Sequence, residues 1–365
     1  MIKQITIVSS IILSFSISFC QSDEGLTPDE IAYRDSIALL NADNARTSAA
    51  QEAYNEGINL FKQKKYMESI LKFDLAIKGD TLFQFAYYNK GIAQVEIEKY
   101  SAAISTFTDL IKLNDEHEMA YFNRARAYQA SKYLTEAIAD YDQVLFFNPK
   151  NEMALYNSGV SWFLQKKYMK AISMYDKAIR VKADMADAYN DRASCYRMLK
   201  KYDQAIMDYH KAISFNAEYA FIYNNIGTTK KLMKDYQGAK NAYSRSLSID
   251  PKFYLAYSNR AAMFFEEGKY VEAERDYSEC IKINAEYAPA YSGRAACNHK
   301  LEKYEIAVED CNKAISINPN YAGAYVNRGI AKEMLRDQIG ACEDWKKARE
   351  LGSELGKRYQ SGNCQ

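Results

Sequence analysis

Few residues in this chain have the types and spacing that chemistry requires. The three histidines, His117, His210 and His299, share no regular spacing, and Cys297 precedes the last of them without a second pair of this kind. A zinc site normally takes its ligands from two closely spaced Cys or His pairs. The sequence also has no glycine-rich phosphate loop, His-Glu-x-x-His helix or nucleophile elbow. We therefore predict no catalytic residue, no metal site, no cofactor and no small-molecule substrate.

The N-terminal residues predict export. A single cation, Lys3, precedes an uncharged apolar run over residues 5–19, and the chain becomes polar at Gln21. This order is typical of a secretory signal peptide, and the run is shorter than the roughly 20 residues of a membrane-spanning helix. We expect residues 1–20 to be a signal peptide and the protein to be exported to the periplasm or cell envelope.

Cys20 leaves two forms of the N-terminus open. Cleavage after Cys20 would give a soluble protein that begins at Gln21. Residues 17–20, Ile-Ser-Phe-Cys, also resemble a bacterial lipobox, although Phe19 stands where Gly, Ala or Ser is usual. In that case Cys20 would be lipidated and would anchor the protein in the outer membrane. Membrane contact is expected only for this second form.

The other six cysteines divide into two groups. Four fall in helical positions where a thiol behaves as a small apolar group: Cys195, Cys280, Cys297 and Cys311. Cys342 differs because Cys364 follows it after a segment that should fold back over the last helices. In an exported protein Cys342 and Cys364 are therefore candidates for a disulfide.

The composition favours helices and excludes some functions. The chain has 365 residues with a formal net charge of +1, and it contains only 15 glycines and 5 prolines. A charge so near zero gives little attraction for nucleic acid. The scarcity of turn residues favours helices joined by short turns over a β-rich fold. The residues from Thr27 to Glu30 have the pattern of a helix start, and we expect a helix from Pro28 to about Leu40.

A 34-residue period runs through most of the chain. Small residues recur in two registers, Ser69, Ala103, Ala137, Ala171, Ala205, Ala239, Ala273, Ala307, Ala341 and Gly57, Gly91, Ala125, Gly159, Ala193, Gly227, Ala261, Ala295, Gly329. Two further registers are mainly aromatic and begin at Phe73 and Tyr66. Apolar residues within each period have helical spacing that is broken twice. Each unit should therefore be a helix, a tight turn and a second helix, stacked into one continuous core.

The registers also explain why the chain has 31 tyrosines. Small residues allow two helices to approach closely, and an aromatic ring from the second helix fills the gap beside them. Most tyrosines fall in such packing positions. A tyrosine-based active site or a stacking platform for nucleic acid is therefore not needed to account for them.

These registers resemble the tetratricopeptide repeat, a helical hairpin with the same period. The resemblance covers nine units over residues 50–355 without an insertion, and its departures are local, such as Ser69 in the first unit. It implies an all-α fold, a right-handed α-α superhelix or solenoid of about nine tandem hairpins. Residues 21–49 would then be an N-terminal segment with one helix, and residues 356–365 a C-terminal tail. The repeats leave no domain that could hold an active site.

A charge pair recurs in five units. An arginine on the first helix is followed sixteen residues later by an aspartate on the second, as Arg124/Asp140, Arg192/Asp208, Arg260/Asp276, Arg294/Asp310 and Arg328/Asp344. Unit one has the reversed pair Glu56 and Lys72, and Lys90 has no such partner. Because the signs change together, we expect an ion pair across each hairpin, worth roughly 0.2–1 kcal/mol if it is exposed.

In the family that the chain resembles, first helices line the concave face of the superhelix and hold extended peptides or partner helices. The resemblance places a partner-binding groove at seven apolar residues, Phe85, Tyr88, Met119, Phe122, Met153, Tyr156 and Phe163. Later units have polar residues on this face: Asp187, Asn190, Asn224, Ser258 and Ser292. The lysine positions of the family's chaperone-tail clamp hold Tyr54, Tyr88 and Phe122 here, so that function is not expected. Either a partner or the chain's own residues 28–49 would cover the apolar stripe.

We therefore predict a protein–protein interaction scaffold of the cell envelope that binds a peptide segment or partner helix in its groove, without catalysis. The expected partner is a protein or peptide, and nucleic acid is not expected. The alternative is a structural lipoprotein subunit of an envelope assembly or secretion complex. The chemical state of Cys20 distinguishes these two functions.

Overall fold

The structure is a computed structural model that describes residues 28–364, with side chains from Ser36 onward. The predicted signal peptide and Cys20 lie outside the described residues. Within residues 28–364 the chain forms nineteen α-helices and no β-strand. Among these helices, none has an apolar stretch long enough to cross a bilayer.

Helices of two kinds alternate along the chain. The first helices of the hairpins are α1 Pro28–Lys62, α3 Gln84–Glu96, α5 Glu118–Ala130, α7 Glu152–Leu164, α9 Ala186–Met198, α11 Ala220–Leu232, α13 Tyr254–Glu266, α15 Ala288–Lys300 and α17 Ala322–Met334. The second helices are α2 Tyr66–Gly79, α4 Tyr100–Leu113, α6 Leu134–Phe147, α8 Tyr168–Val181, α10 Tyr202–Phe215, α12 Tyr236–Ile249, α14 Tyr270–Ile283, α16 Tyr304–Ile317 and α18 Gln338–Glu350. A last helix, α19, spans Glu354–Asn363.

The chain divides into two compact units, one ending at Tyr133 and the other starting at Leu134. In the first unit α1 packs against α2 and α3 against α4. In the second unit the hairpins are α7–α8, α9–α10, α11–α12, α13–α14, α15–α16 and α17–α18. Each second helix also contacts the first helix of the next hairpin in the same unit. Both units are therefore stacks of tandem helical hairpins, as the periodic sequence predicts.

Small residues face aromatic rings within each hairpin. A Cβ added to Gly91 would come within 2.5 Å of the Phe107 ring, and one added to Gly159 within 2.6 Å of the Tyr175 ring. The alanine register that includes Ala205 is fully buried. The predicted close approach of the two helices, with an aromatic ring beside it, is confirmed.

The turn inside each hairpin uses a left-handed residue that is seldom glycine. Eight of these positions have φ between 58° and 65° and carry long polar side chains, Lys64, Glu98, Lys132, Lys166, Lys200, Lys234, Glu302 and Arg336, whereas the ninth is Gly268. A left-handed conformation costs roughly 1–2 kcal/mol for a residue with a Cβ. The packing of the two helices, rather than the intrinsic preference of the turn residue, therefore sets this turn.

The N-terminal helix is longer than the sequence suggested. It begins at Pro28 as expected, but it does not end near Leu40, and it continues to Lys62 as the first helix of the first hairpin. Residues 41–49 contain neither proline nor glycine, so nothing in the chain stops the helix there. Every side chain from Ser36 to Ala49 is exposed, and burial begins at Ala50.

The C-terminal residues form a helix that packs back on the last hairpin. Helix α19 contacts both α17 and α18. The Tyr359 ring stacks on the Trp345 ring, with centroids 5.2 Å apart and an interplanar angle of 18°. Cys342 of α18 and Cys364 form a disulfide across 22 residues. The region considered as a tail is thus a covering helix joined covalently to the last hairpin.

Candidate functional site

Four of the expected arginine–aspartate pairs are present, all in the second unit. Each guanidinium donates two hydrogen bonds to its aspartate, as in Arg192 Nε to Asp208 Oδ2 and Nη2 to Oδ1, both at 2.7 Å. The other three are Arg260/Asp276, Arg294/Asp310 and Arg328/Asp344. The reversed pair of Glu56 and Lys72 also forms. Arg124 and Asp140 belong to different units, and their pairing stays a prediction.

Each of these arginines also reaches the second helix of the preceding hairpin. Arg192 Nη1 donates to Asp176 Oδ1 at 2.6 Å, and the other three contact Ser244, Ser278 and Asn312 at the equivalent position. Lys90, for which we predicted no partner, pairs with Asp74 in the same way at 2.6 Å. We call the two contacts of each arginine, one with its own aspartate and one with the preceding second helix, an arginine bridge. They join neighbouring hairpins and occupy the guanidinium groups, so they are structural and do not form a ligand clamp.

The ion pairs of the arginine bridges are partly or fully buried. The free energy of roughly 0.2–1 kcal/mol expected for an exposed pair therefore does not apply to them. The aspartate side chain of the pair Arg328/Asp344 is 4% exposed and that of Arg260/Asp276 is 7% exposed. A buried charge that loses its partner typically costs roughly 3–5 kcal/mol, far above the value of a surface pair. Losing a single member of a bridge should therefore be strongly destabilising.

The first helices form one face of each unit. Successive first helices contact one another directly, α1 with α3 and α3 with α5 in the first unit, and likewise from α7 to α17 in the second. Among the described residues, successive second helices make no such contacts. The first helices are thus the more closely spaced set, and we call their shared face the inner surface of each unit.

A row of hydrogen bonds joins successive first helices on the inner surface. Each bond links equivalent places on two neighbouring first helices. The bonds are Asn89 to Tyr54 at 3.0 Å, Asn123 to Tyr88 at 3.3 Å, Tyr156 to Asp191 at 2.8 Å, Asn225 to Asn190 at 3.1 Å, Asn259 to Asn224 at 2.9 Å, and Asn327 to Ser292 at 3.0 Å. We call this row the interhelical ladder. It joins α1 to α3 and α3 to α5 in the first unit, and α7 to α9, α9 to α11, α11 to α13 and α15 to α17 in the second.

The interhelical ladder was missed in the sequence, although its signal was present. Asparagine occupies the same position in seven of the nine repeats, at residues 55, 89, 123, 157, 225, 259 and 327. Asp191 and Gly293 occupy this position in the other two repeats. The apolar, aromatic and charged registers that predict the fold do not include this neutral polar one. A buried amide needs a hydrogen-bond partner, so a periodic asparagine predicts a periodic bond.

The first unit holds four of the seven predicted groove residues. Phe85 is 67% exposed and Met119 is 45% exposed on the inner surface. Tyr88 is half-buried, because its ring stacks on His117 at 5.7 Å and its hydroxyl accepts the bond from Asn123. Phe122 is also half-buried. The exposed apolar area of this unit's inner surface therefore comes mainly from Phe85 and Met119.

The second unit holds the other three. Met153 is 44% exposed, whereas Tyr156 and Phe163 are half-buried against Tyr175 and Tyr168. The seven residues thus belong to two separate units, three on α7 and four on α3 and α5. Residues 36–49, the part of the N-terminal segment whose side chains are described, do not cover them, since those side chains are all exposed.

The polar residues that we considered on the later first helices are mostly unavailable to a partner. Asn190, Asn224, Ser258 and Ser292 are each at most 9% exposed, and three of the four take part in the interhelical ladder. Only Asp187 is exposed. The later first helices therefore offer a partner far fewer polar groups than their sequence suggests.

Asp191 is the charged exception in the asparagine register. Its Oδ2 accepts from the Tyr156 hydroxyl at 2.8 Å and its Oδ1 from Asn190 Nδ2 at 2.9 Å. Burial raises the pKa of the Asp191 carboxyl above its usual range, and Asp187 raises it further, although the two hydrogen bonds lower it. Both bonding groups are neutral, so no cation compensates the partly buried carboxylate through its hydrogen bonds.

The remaining chemistry-bearing residues have structural surroundings. In residues 28–364, no three Cys, His, Asp or Glu side chains are grouped so that they could hold a metal ion. Four cysteines are buried free thiols: Cys195, Cys280, Cys297 and Cys311. Burial raises the pKa of each to about 12. His117 Nδ1 accepts from the Ala120 amide at the start of α5, and burial lowers the pKa of its ring.

Stacked hairpins with a regular sequence period define an all-helical repeat protein. Models of the tetratricopeptide repeat match residues 88–152, 186–219, 222–253 and 288–321. The chain is a tetratricopeptide repeat protein, as its registers suggested. Membership of this family supports a role as a protein–protein interaction scaffold. No curated protein matches the sequence significantly.

Solved structures share the fold. A tetratricopeptide repeat protein from Parabacteroides merdae is 20% identical, with a TM-score of 0.50, and the alignment covers 78% of this chain and 99% of that one. A chain of the APC/C hetero-tetramer Cut9-Hcn1 is 10% identical, with a TM-score of 0.56, covering 87% of this chain and 76% of that one. At such identities the likeness concerns the fold alone.

Proposed function

We propose that the protein is a cell-envelope scaffold that binds an extended segment or helix of a partner protein on the inner surface of its first unit. The observation that carries this proposal is the exposure of Phe85 and Met119, two large apolar side chains at the same repeat position on adjacent first helices. Exposed apolar groups in a row are a common mark of an interaction site.

The interhelical ladder suits such a surface. Because Asn89 and Asn123 bond to Tyr54 and Tyr88, neighbouring first helices are held in register before a partner arrives. A surface ordered in advance loses less conformational entropy on binding. Phe85 and Met119 would then supply most of the binding energy, since a few buried apolar anchors usually dominate an interface.

The envelope location is part of this proposal and rests on residues 1–20. The alternative is a structural lipoprotein subunit of an envelope assembly or secretion complex. Mass spectrometry of the mature N-terminus separates the two: a diacylated Cys20 favours the membrane-anchored subunit, and an N-terminal Gln21 favours the soluble scaffold.

Site-specific photo-crosslinking tests the binding surface. A photoreactive amino acid at position 85 should cross-link a partner in the envelope fraction, and Phe85→Ala with Met119→Ala should abolish co-purification of that partner. The matched control is position 207, because Met207 is 71% exposed on α10 but is not on a first helix. A partner that cross-links equally from 207, or that still binds the double variant, would contradict the proposal.

A further inference from the structure

The net charge near zero conceals an uneven distribution of charge in the second unit. The turns inside the hairpins α7–α8, α9–α10 and α11–α12 lie within residues 162–170, 196–204 and 230–238, which carry nine lysine or arginine side chains and two aspartates. The equivalent residues of the next three hairpins, 264–272, 298–306 and 332–340, carry five basic and seven acidic side chains. We call the first three turns the basic edge.

The three turns of the basic edge lie side by side. Because α8 and α10 return the chain between them, α7, α9 and α11 run in the same direction, and each contacts the next. Their C-terminal ends, where the turns begin, therefore meet at one edge of the stack. Packed helices lie about 8–10 Å apart, so the three turns span roughly 20 Å.

Most cations of the basic edge are available to a partner. Lys230 pairs with Asp235 at 3.0 Å and Lys231 with Glu266 at 2.9 Å. The other seven cations form no ion pair with any residue that the structure describes, and six of the seven are exposed lysines: Lys166, Lys167, Lys170, Lys200, Lys201 and Lys234. Their positive charge is therefore not neutralised within residues 36–364.

Apolar side chains are interleaved with these lysines. Leu164, Met198 and Leu232 are the last residues of α7, α9 and α11, and they are 52%, 50% and 48% exposed. The same repeat position holds Glu266 and Lys300 in the next two hairpins. Each turn of the basic edge thus combines an exposed apolar side chain with neighbouring lysines.

Trp162 lies at the same edge. Its half-buried ring has the ammonium groups of Lys170 and Lys167 at 4.3 Å and 5.0 Å from a ring centre. An indole ring suits the boundary between water and hydrocarbon, where long lysine side chains can keep their charge in the polar layer.

This combination fits the surface of an anionic lipid bilayer. Headgroup phosphates attract the lysines, and the region just beneath them accepts apolar side chains. A nucleic-acid backbone would contact the lysines but would leave Leu164, Met198 and Leu232 in water. Lipid is therefore the anionic surface that uses both kinds of side chain.

We propose that the basic edge is a docking surface for an anionic lipid bilayer. Leu164, Met198 and Leu232 enter the interface, and the surrounding lysines contact headgroup phosphates. The contact needs no lipid on Cys20. It involves the second unit alone, so it does not depend on the partner surface proposed for the first unit.

Vesicle co-sedimentation tests the charges with the mature chain that begins at Gln21, so that neither residues 1–20 nor a lipid anchor contributes. This chain should bind vesicles of phosphatidylcholine with about 30% phosphatidylglycerol, and should bind phosphatidylcholine alone at least about tenfold more weakly. Three charge reversals combined should lower the partition coefficient at least about tenfold: Lys167→Glu, Lys170→Glu and Lys201→Glu.

The matched control reverses three exposed lysines in the later turns, so that the net charge changes equally: Lys269→Glu, Lys300→Glu and Lys303→Glu. It should lower the partition coefficient less than about threefold, because surface charges act mainly within a Debye length of about 8 Å. A chain that does not bind the anionic vesicles would overturn the proposal. Equal effects of the two sets, or binding that survives the first set, would overturn it as well.

A second set of substitutions distinguishes a bilayer from other anionic partners. Leu164→Gln, Met198→Gln and Leu232→Gln combined should weaken vesicle binding at least about fivefold. The control set lies outside the three turns, at side chains that are 71%, 47% and 78% exposed, and should leave binding unchanged: Met207→Gln, Ile306→Gln and Ile339→Gln. Circular dichroism should show that all variants are folded. Binding that ignores the first set, or duplex DNA bound as tightly as vesicles, would overturn the assignment to lipid.

Discussion

The two ends of the described chain terminate their helix stacks in opposite ways. At the C-terminal end, α19 covers Trp345 through Tyr359, and the Cys342–Cys364 disulfide fixes it in place. At the N-terminal end, α1 runs past its neighbour and leaves residues 36–49 exposed. A helical repeat buries its apolar face on the next repeat, so both ends of a stack need a cover. Among the described residues, α19 supplies that cover at the C-terminal end, whereas residues 36–49 remain exposed at the N-terminal end.

The largest expected effect is at the covered end. Trp345 is fully buried and is the largest side chain of the last hairpin. Trp345→Ala should lower the free energy of unfolding of this region by about 3–5 kcal/mol, because it leaves a cavity beneath α19. Hydrogen exchange should show faster opening of α17 to α19. Unchanged exchange there would mean that α19 does not depend on this ring.

The disulfide should account for the next largest effect. Cys342→Ser combined with Cys364→Ser should destabilise α19 by about 3 kcal/mol, the usual value for a loop of this size. Amide exchange over residues 354–363 reports the change. The unmodified protein in a dithiol reductant is the matched comparison and should behave like the double variant. A difference between the two would show that the serines, not the lost bond, cause the effect.

A change between the two ends should stabilise the protein and leave both ends as they are. Asp191→Asn removes a partly buried charge and keeps an acceptor for Tyr156, but its Nδ2 cannot accept the bond from Asn190. We expect the removed charge to outweigh this lost bond, with a net gain of roughly 1 kcal/mol at pH 8. The folded pKa of Asp191 is raised, so its cost is absent below the unfolded pKa of about 3.9 and grows as pH rises through the folded pKa. The gain should therefore vanish near pH 4.

Thermal melts at several pH values measure this dependence. Asn225→Asp is the matched control, because it introduces a carboxyl in the same register of the interhelical ladder and removes the bond to Asn190. It should destabilise the protein at pH 8. A gain from Asp191→Asn that does not depend on pH would show that the carboxyl has the same pKa in the folded and unfolded states.

The smallest effect is expected at the open end. Leu39→Ala combined with Leu40→Ala should change the free energy of unfolding by less than about 0.5 kcal/mol, since exposed side chains lose little packing. Chemical denaturation followed by circular dichroism gives this value. A loss of more than about 1 kcal/mol would mean that these two side chains are covered, and the contrast with the C-terminal end would fail.

Much of the fold follows from the sequence because the packing positions repeat. The alanine register of Ala205 and the glycine–aromatic pairs such as Gly91 and Phe107 keep their period, and a periodic core admits few alternatives. The predicted end of the N-terminal helix near Leu40 was wrong, because α1 continues through Leu40 without a break. Local helix propensity does not show that this segment merges with the first helix of the first hairpin.

The site was less accessible to sequence reasoning. The second partner of each arginine bridge changes from Asp176 to Ser244 to Asn312, so no single residue type marks it. Exposure of Phe85 and half-burial of Tyr88 depend on the packing around each ring, which residue type does not reveal. The left-handed turn at Lys200 gives no glycine signal at all.

The arginine bridges also determine how the second unit would respond to mechanical force. Arg192 joins α8 to α10, and Arg260, Arg294 and Arg328 join α12 through α18 in an unbroken series. Between α10 and α12 the equivalent residue is Ile226, which belongs to an apolar cluster with Ala242. A bridge of charged hydrogen bonds resists shear over a short distance, whereas an apolar contact yields gradually. Between α8 and α18, tension along the chain would therefore part the helices first around α11 and leave the two bridged blocks on either side intact.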